Sequence, residues 1–280
     1  MPTSKERIAQ GIKKVVSTLM ERVMDKVLVE DPFIPENHRA AKPLYAALVP
    51  DEIFKGAHFE RRFVTPFGGA WEKLAVVVAQ GKHGECGQGI AVDGLIAKGR
   101  LQRIQSVLNQ LEHRSSETSR RMTPNWDKEL AYVLEGRGEL IPCTVVCDLL
   151  IKNRISQKSY AFELKAPLPN SDQTKVSKEK MFKLFAMQPQ RVDCAYYALP
   201  YNPYIHKKDY AWSFPMRWFD MKTDACVLIG DEFWDFIGGR GTYQIFIDEI
   251  NALGTEYRNR IYHEFLGIDS PEPSPRPILR

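Results

Sequence analysis

Residues 144–151, Thr-Val-Val-Cys-Asp-Leu-Leu-Ile, are β-branched or apolar except for one acid, Asp148. That composition predicts a buried strand. A carboxylate in its middle is costly unless it is paired or holds a cation. After a polar turn over 153–159, a second strand is predicted over 160–166, Tyr-Ala-Phe-Glu-Leu-Lys-Ala. Side chains alternate along a strand, so Glu163 and Lys165 share one face while Phe162 and Leu164 share the other. A hairpin between the two strands would bring Asp148 to Glu163, with the ammonium of Lys165 beside them.

Two converging carboxylates and an ammonium are the set that phosphodiester hydrolysis needs. Carboxylates hold Mg²⁺, which prefers hard oxygen ligands and keeps waters. The metal polarises the scissile phosphate and activates a bound water. A lysine orients that water, helps deprotonate it, or stabilises charge developing on the phosphate. Spacing alone leaves a second reading open, a pair of solvated strand-edge acids with Lys165 as their salt-bridge partner. An E-x-K triplet is expected about once by chance in such a chain. A D-x-K rival, Asp220-Met221-Lys222, follows the aromatic segment 212–219. With no acid-bearing apolar strand before it, it ranks below.

The remaining sequence predicts helices over 5–30, 70–80, 97–114, 124–134, 172–188, 233–237 and 243–266, with further strands over 193–201 and 225–230. In the helix over 172–188, Val176, Met181, Leu184 and Phe185 are expected to face inward. Residues 58–69 read as an extended or turn piece. Gly81, Gly84, Gly87 and Gly89 read as a loop without the spacing of a phosphate cradle. The expected fold class is α/β, a mixed sheet flanked by helices with an N-terminal helical region. The 280 residues are read as one domain, with a largely helical part over 1–135, a catalytic sheet core and C-terminal helices over 136–266, and a flexible tail over 267–280.

Composition narrows the classes. Hydrophobic content of 44% and charged content of 26% are those of a soluble globule. No apolar run has the length of a membrane span, and the N-terminal segment lacks a signal-peptide core, so a cytoplasmic protein without a membrane partner is expected. The five cysteines fit reduced thiols. Cys143 and Cys147 lack the two further ligands that a zinc site requires. A net charge of +4 permits nucleic-acid binding without requiring it.

Glu163-Leu164-Lys165-Ala166-Pro167, followed by Pro169-Asn170, Gln173 and Lys178-Glu179-Lys180, resembles the catalytic block of TdeIII-type restriction endonucleases, in the PD-(D/E)xK superfamily. Three further blocks resemble the same family in the same order. They are Phe59-Glu60-Arg61-Arg62-Phe63 with Gly68 and Trp71-Glu72-Lys73-Leu74-Ala75, Pro124-Asn125-Trp126 with Glu129-Leu130, and Phe233–Gly239 with Gly241-Thr242-Tyr243. The resemblance implies a type II enzyme that recognises a short palindromic duplex site, GG-N-CC-like, and cuts both strands of double-stranded DNA to leave 5′-phosphates. It implies a homodimer, Mg²⁺ for which Mn²⁺ substitutes, and no small-molecule substrate. Asp148, Glu163 and the main-chain oxygen of Leu164 would be the metal ligands, with Glu72, or secondly Glu129, adding a helical acid. Asn170, Gln173, Lys175, Lys178 and Lys180 would meet DNA. Cys147 stands where the superfamily's name has proline. A repair or recombination nuclease on the same core, and a catalytically silent DNA-binding protein, are the alternatives.

Overall fold

A computed structural model describes residues 3–116 and 118–271. The last nine residues of the expected tail lie outside them. The chain folds as two compact units, one formed by residues up to 74 with those from 244 onward, the other by residues 75–243.

In the first unit, α1 (Ser4–Asp25) starts at a capping box in which Thr3 and Glu6 satisfy each other's backbone N–H. Its stripe of Ile8, Ile12, Val16, Met20, Val23 and Met24 is buried, as helical spacing requires. Short helices α2 (Pro35–Ala41) and α3 (Pro43–Ala46) lead into α4 (Asp51–Lys82). That single helix replaces the extended piece expected over 58–69, and Pro66 lies inside it. Phe59, Phe63, Phe67 and Trp71 recur every fourth residue and pack successively, with ring centroids 6.3, 5.2 and 5.0 Å apart. This aromatic row outweighs the local cost of Pro66, Gly68 and Gly69.

The second unit carries the sheet, in the order β1 (Gly84–Ala97), β2 (Leu140–Asn153), β3 (Ser159–Leu164), β4 (Cys194–Leu199), β5 (Val227–Ile229). The first two pairings are antiparallel and the last two parallel, the mixed sheet expected. Of the glycines expected in a loop, Gly81 lies in α4, and Gly84, Gly87 and Gly89 lie in the edge strand β1, paired along β2 from Gly84 to Ala97. Pairing pauses only at Gly89, whose φ of +62° is open to glycine at little cost. Between β1 and β2 lie α5 (Lys98–Glu112) and α6 (Trp126–Leu134). Helix α7 (Ser171–Ala186) follows β3, and α8 (Ser213–Met216) and α9 (Asp231–Gly238) flank β5 in sequence. The first unit resumes with α10 (Thr242–Arg260).

Helices α5, α6 and α7 bury one apolar cluster with the sheet, in which Trp126 stacks on Phe182 at 4.8 Å. On β3, Phe162 instead meets Phe233 and Phe236 of α9. Helix α7 presents Met181, Leu184 and the half-buried Phe185 inward as expected, but Val176 is 52% exposed.

Two features fix the helices of this unit in place. At the start of α5, the N–H groups of Lys98 and Gly99 donate to Glu139 O and Arg137 O at 2.9 and 3.0 Å, satisfying donors that a helix start leaves open. A Cβ on Gly99 would sit 2.2 Å from Arg137 O, and one on Gly136 2.4 Å from Arg100 N. The second pin is Lys178 of α7, which is fully buried. Its ammonium donates to Trp218 O, lies 2.5 Å from Glu129 Oε2 of α6, and sits 4.8 Å from the Phe219 ring centroid. The contact with Glu129 is close but off the hydrogen-bond direction. Burial pushes the Lys178 ammonium below its ordinary pKa and the Glu129 carboxyl above its own, each opposed by the other's charge.

Urea denaturation reads the strength of both pins. Gly99→Ala or Gly136→Ala should cost about 3 kcal/mol, since backbone rather than a movable side chain blocks the new methyl. Lys178→Met should cost about 3–5 kcal/mol by leaving Glu129 buried and uncompensated, and adding Glu129→Gln should recover most of the loss.

Candidate active site

The β2–β3 register pairs Leu149 with Phe162. One step further it sets Asp148 opposite Glu163, where side chains project to the same face with Cβ atoms about 5 Å apart. There the ladder gives way to side-chain bonding. Asp148 Oδ2 accepts from Leu164 N at 2.9 Å and from Lys165 Nζ at 2.5 Å. Lys165 N donates to Ala198 O at 3.0 Å, extending the pairing to β4 and fixing where the lysine leaves the strand. The hairpin expected from sequence therefore brings Asp148, Glu163 and Lys165 together.

Helix α7 adds a fourth and a fifth side chain to this face. Lys180 Nζ donates to both oxygens of Glu163, at 2.8 and 3.0 Å, and lies 3.7 Å from Asp148 Oδ1. Ser177 Oγ donates to Glu163 Oε2 at 3.3 Å. Ser177 and Lys180 are three residues apart and so lie on one helix face. Lys165 Nζ reaches Glu163 Oε2 at 3.5 Å and Leu164 O at 3.2 Å.

Glu163 is 2% exposed. Burial, and then the neighbouring charge of Asp148, raises its pKa above the ordinary glutamate value, while Lys165 and Lys180 pull it back. Burial acts against the Lys180 ammonium too, but Glu163 and Asp148 prevail and raise it above the ordinary lysine value. The two acids thus remain close because two ammoniums share the space between them.

This donor set fits a hard divalent cation. The oxygens of Asp148 and Glu163 and the Leu164 carbonyl already face positive charge, and the lysines stand where a metal's charge would act. Among the described residues no group of three or more His, Cys, Asp and Glu gathers. Two carboxylates suit an ion that retains waters.

The other sequence candidates separate. Glu129 directs its carboxylate to Asn125 N at 3.1 Å and to buried Lys178, partners that lie apart from the carboxylate centre. Glu72 lies on α4, in the first unit. Its assignment rests on the family resemblance. Asn170 caps α7, accepting from Gln173 N at 2.8 Å, and both residues are exposed. Lys175 pairs with Glu112 at 2.5 Å. The expectation that Lys178 meets DNA phosphate is corrected, because its ammonium is buried among aromatic rings. Lys180, expected at phosphate, instead bridges the carboxylates. Asp220 of the rival D-x-K closes a turn through Thr223 Oγ1 at 2.6 Å and the N–H groups of Lys222 and Thr223, away from any strand. All five cysteines are free thiols.

Comparison with known proteins places the chain in a family. The model of the family described as "Type II restriction endonuclease, HinfI" matches residues 8–254. The chain is similar to the type II restriction enzyme HgiCII of Herpetosiphon aurantiacus, 25% identical over 228 residues that cover 80% of this chain and 82% of that one. It is likewise similar to HgiEI of the same organism, 23% identical over 257 residues, 89% of this chain and 91% of the relative. The family match extends through the sheet, its hairpin and α7, and the chain therefore belongs to the HinfI family of type II restriction endonucleases.

Proposed function

We propose that this chain makes double-strand cuts at a short palindromic, GG-N-CC-like site in duplex DNA, using Asp148, Glu163 and Lys165 as a PD-(D/E)xK centre. The observation that carries the reading is the convergence of two carboxylates, one of them buried, on two ammoniums at the end of the β2–β3 hairpin. The blocks at 59–75, 124–130, 163–180 and 233–243 add the TdeIII-type likeness to this reading.

Asp148, Glu163 and the Leu164 carbonyl would hold Mg²⁺, or Mn²⁺ in its place, which when bound supplies a Lewis acid for the phosphate and lowers the pKa of a water. Asp148 is pre-oriented by Leu164 N. Glu163 is fixed by Ser177 and Lys180. With a cation among the carboxylates, Lys165 and Lys180 are relieved of neutralising them. Lys165 would then orient the attacking water, whose proton passes to solvent, while Lys180 faces the negative charge that grows on the phosphate. A homodimer would give each strand its own centre and match the two-fold symmetry of the site. The cytoplasm, where host DNA lies, is the compartment this reading implies. No helix among the described residues is long and apolar enough to cross a membrane.

Incubation with a sequenced linear plasmid and Mg²⁺ should yield discrete fragments whose sequenced ends share one short motif and carry 5′-phosphates. Glu163→Gln and Lys165→Met should each lower the cutting rate by about 10³ while duplex binding persists, a loss typical of removing a group that acts in the transition state. Full cutting by both variants, or no cutting by the unaltered chain, would contradict the proposal.

A further inference from the structure

Outside the carboxylate centre, the second unit has an open groove of about 1120 Å³ between α5 and residues that follow it, among them His113, Arg114, Arg120 and Arg121. Its helical wall is unusual in chemistry. Gln102, Gln105, Ser106, Asn109 and Gln110 line it, so an exposed or half-exposed helix face carries amides and a hydroxyl; of these Gln105 Nε2 donates weakly, at 3.4 Å, to Glu179 Oε1 of α7. The opposite face of α5 buries Ile104, Val107, Leu108 and Leu111 in the core, which fixes the helix's rotation. The other wall brings Arg114, Arg120 and Arg121.

Hydrogen bonds tie described residues of that second wall to one another and to α5. Ser115 N donates to Arg120 O and Ser119 N to Ser115 O, each at 2.9 Å, and Met122 N donates to Gln110 O at 3.2 Å. Arg121 Nε donates to Glu112 O at 2.8 Å, tying the turn to the end of α5. Arg114 and Arg120 are exposed and make no side-chain hydrogen bond or ion pair among the described residues. In sequence, residues 113–122 carry three arginines and one acid, Glu117, which lies outside the described residues. Glu112, the last residue of α5, is paired with Lys175 of α7. Lys175 stands five residues, about 7.5 Å, along α7 from Lys180 at the carboxylates. The groove therefore adjoins the helix that completes the centre.

We propose that this groove reads base edges in the major groove of duplex DNA, with Arg114 and Arg120 forking onto guanine and the amides of Gln105 and Asn109 meeting neighbouring bases. Amides and arginines are the side chains whose paired donors and acceptors match base edges, whereas phosphate contact asks only for charge. An amide-lined face beside arginines is suited to selection more than to neutralisation. This reading rests on duplex DNA as the substrate, but not on cutting.

Full-length protein carrying Glu163→Gln is mixed with short duplexes randomised over their centre, the bound fraction is sequenced, and affinities for the enriched and unenriched duplexes are measured by fluorescence anisotropy. The unaltered groove should enrich one short guanine-containing sequence. Arg114→Lys and Arg120→Lys keep the charge and lose the fork. Each should lower affinity for the enriched duplex by about ten-fold or more, relax selection at one guanine, and change affinity for unenriched duplexes less than about three-fold. Gln105→Ala with Asn109→Ala should relax selection at other positions. Equal losses on both kinds of duplex, unchanged selection in every variant, or no enrichment by the unaltered groove would overturn the proposal. Enrichment without cutting of the same sequence by the chain with Glu163 intact would instead count against the cleavage reading alone.

Discussion

The repulsion between Asp148 and Glu163 governs this site. Two acids opposite each other on neighbouring strands, one of them almost wholly buried, cannot both remain charged without opposing charge close by. Lys165 supplies it from the same strand and Lys180 from the helix that follows. The arrangement is strained in one sense only: positive charge is required there, and the chain provides it from two directions. A site that already demands cationic charge is a site into which a divalent cation can be exchanged, with the ammoniums left to face substrate.

Much of the second unit serves to hold those four groups in place. The β2–β3 register aligns the acids, and Lys165 N bonded to Ala198 O ends the strand so that its side chain turns back. Helix α7 must then sit at a fixed rotation for Ser177 and Lys180 to meet Glu163. The buried Lys178–Glu129 pair supplies that constraint, because it pins the same turn of α7 to α6 from the other side. Neighbouring lysines on one helix thus divide their work, one ordering the scaffold and one completing the centre.

The hairpin was legible because its signals are local. One acid interrupts an apolar run, and period-two alternation sorts Glu163 and Lys165 from Phe162 and Leu164. The type of the sheet and the N-terminal helical region followed from similar patterns. What failed was decided by competing or distant signals. The segment 58–69 carries Pro66 and paired glycines, which locally oppose a helix, yet the row Phe59, Phe63, Phe67, Trp71 at four-residue spacing is a helical signal that outweighs them. The glycines of β1 suggested a loop, but pairing along β2 supplies the stability their side chains cannot. Nothing near Lys178 and Lys180 distinguishes them. Glu129, almost fifty residues earlier, is what draws the first into the core.

A calorimetric titration of the cation-free chain with Mn²⁺ tests the carboxylate centre most directly. Binding is expected, and Asp148→Asn should weaken it by about ten-fold or more, since a carboxylate ligand is lost. Lys180→Met should strengthen it, since a competing ammonium is gone. Absence of Mn²⁺ binding, or binding that neither substitution alters, would contradict the claim that these carboxylates and lysines form the cleavage centre.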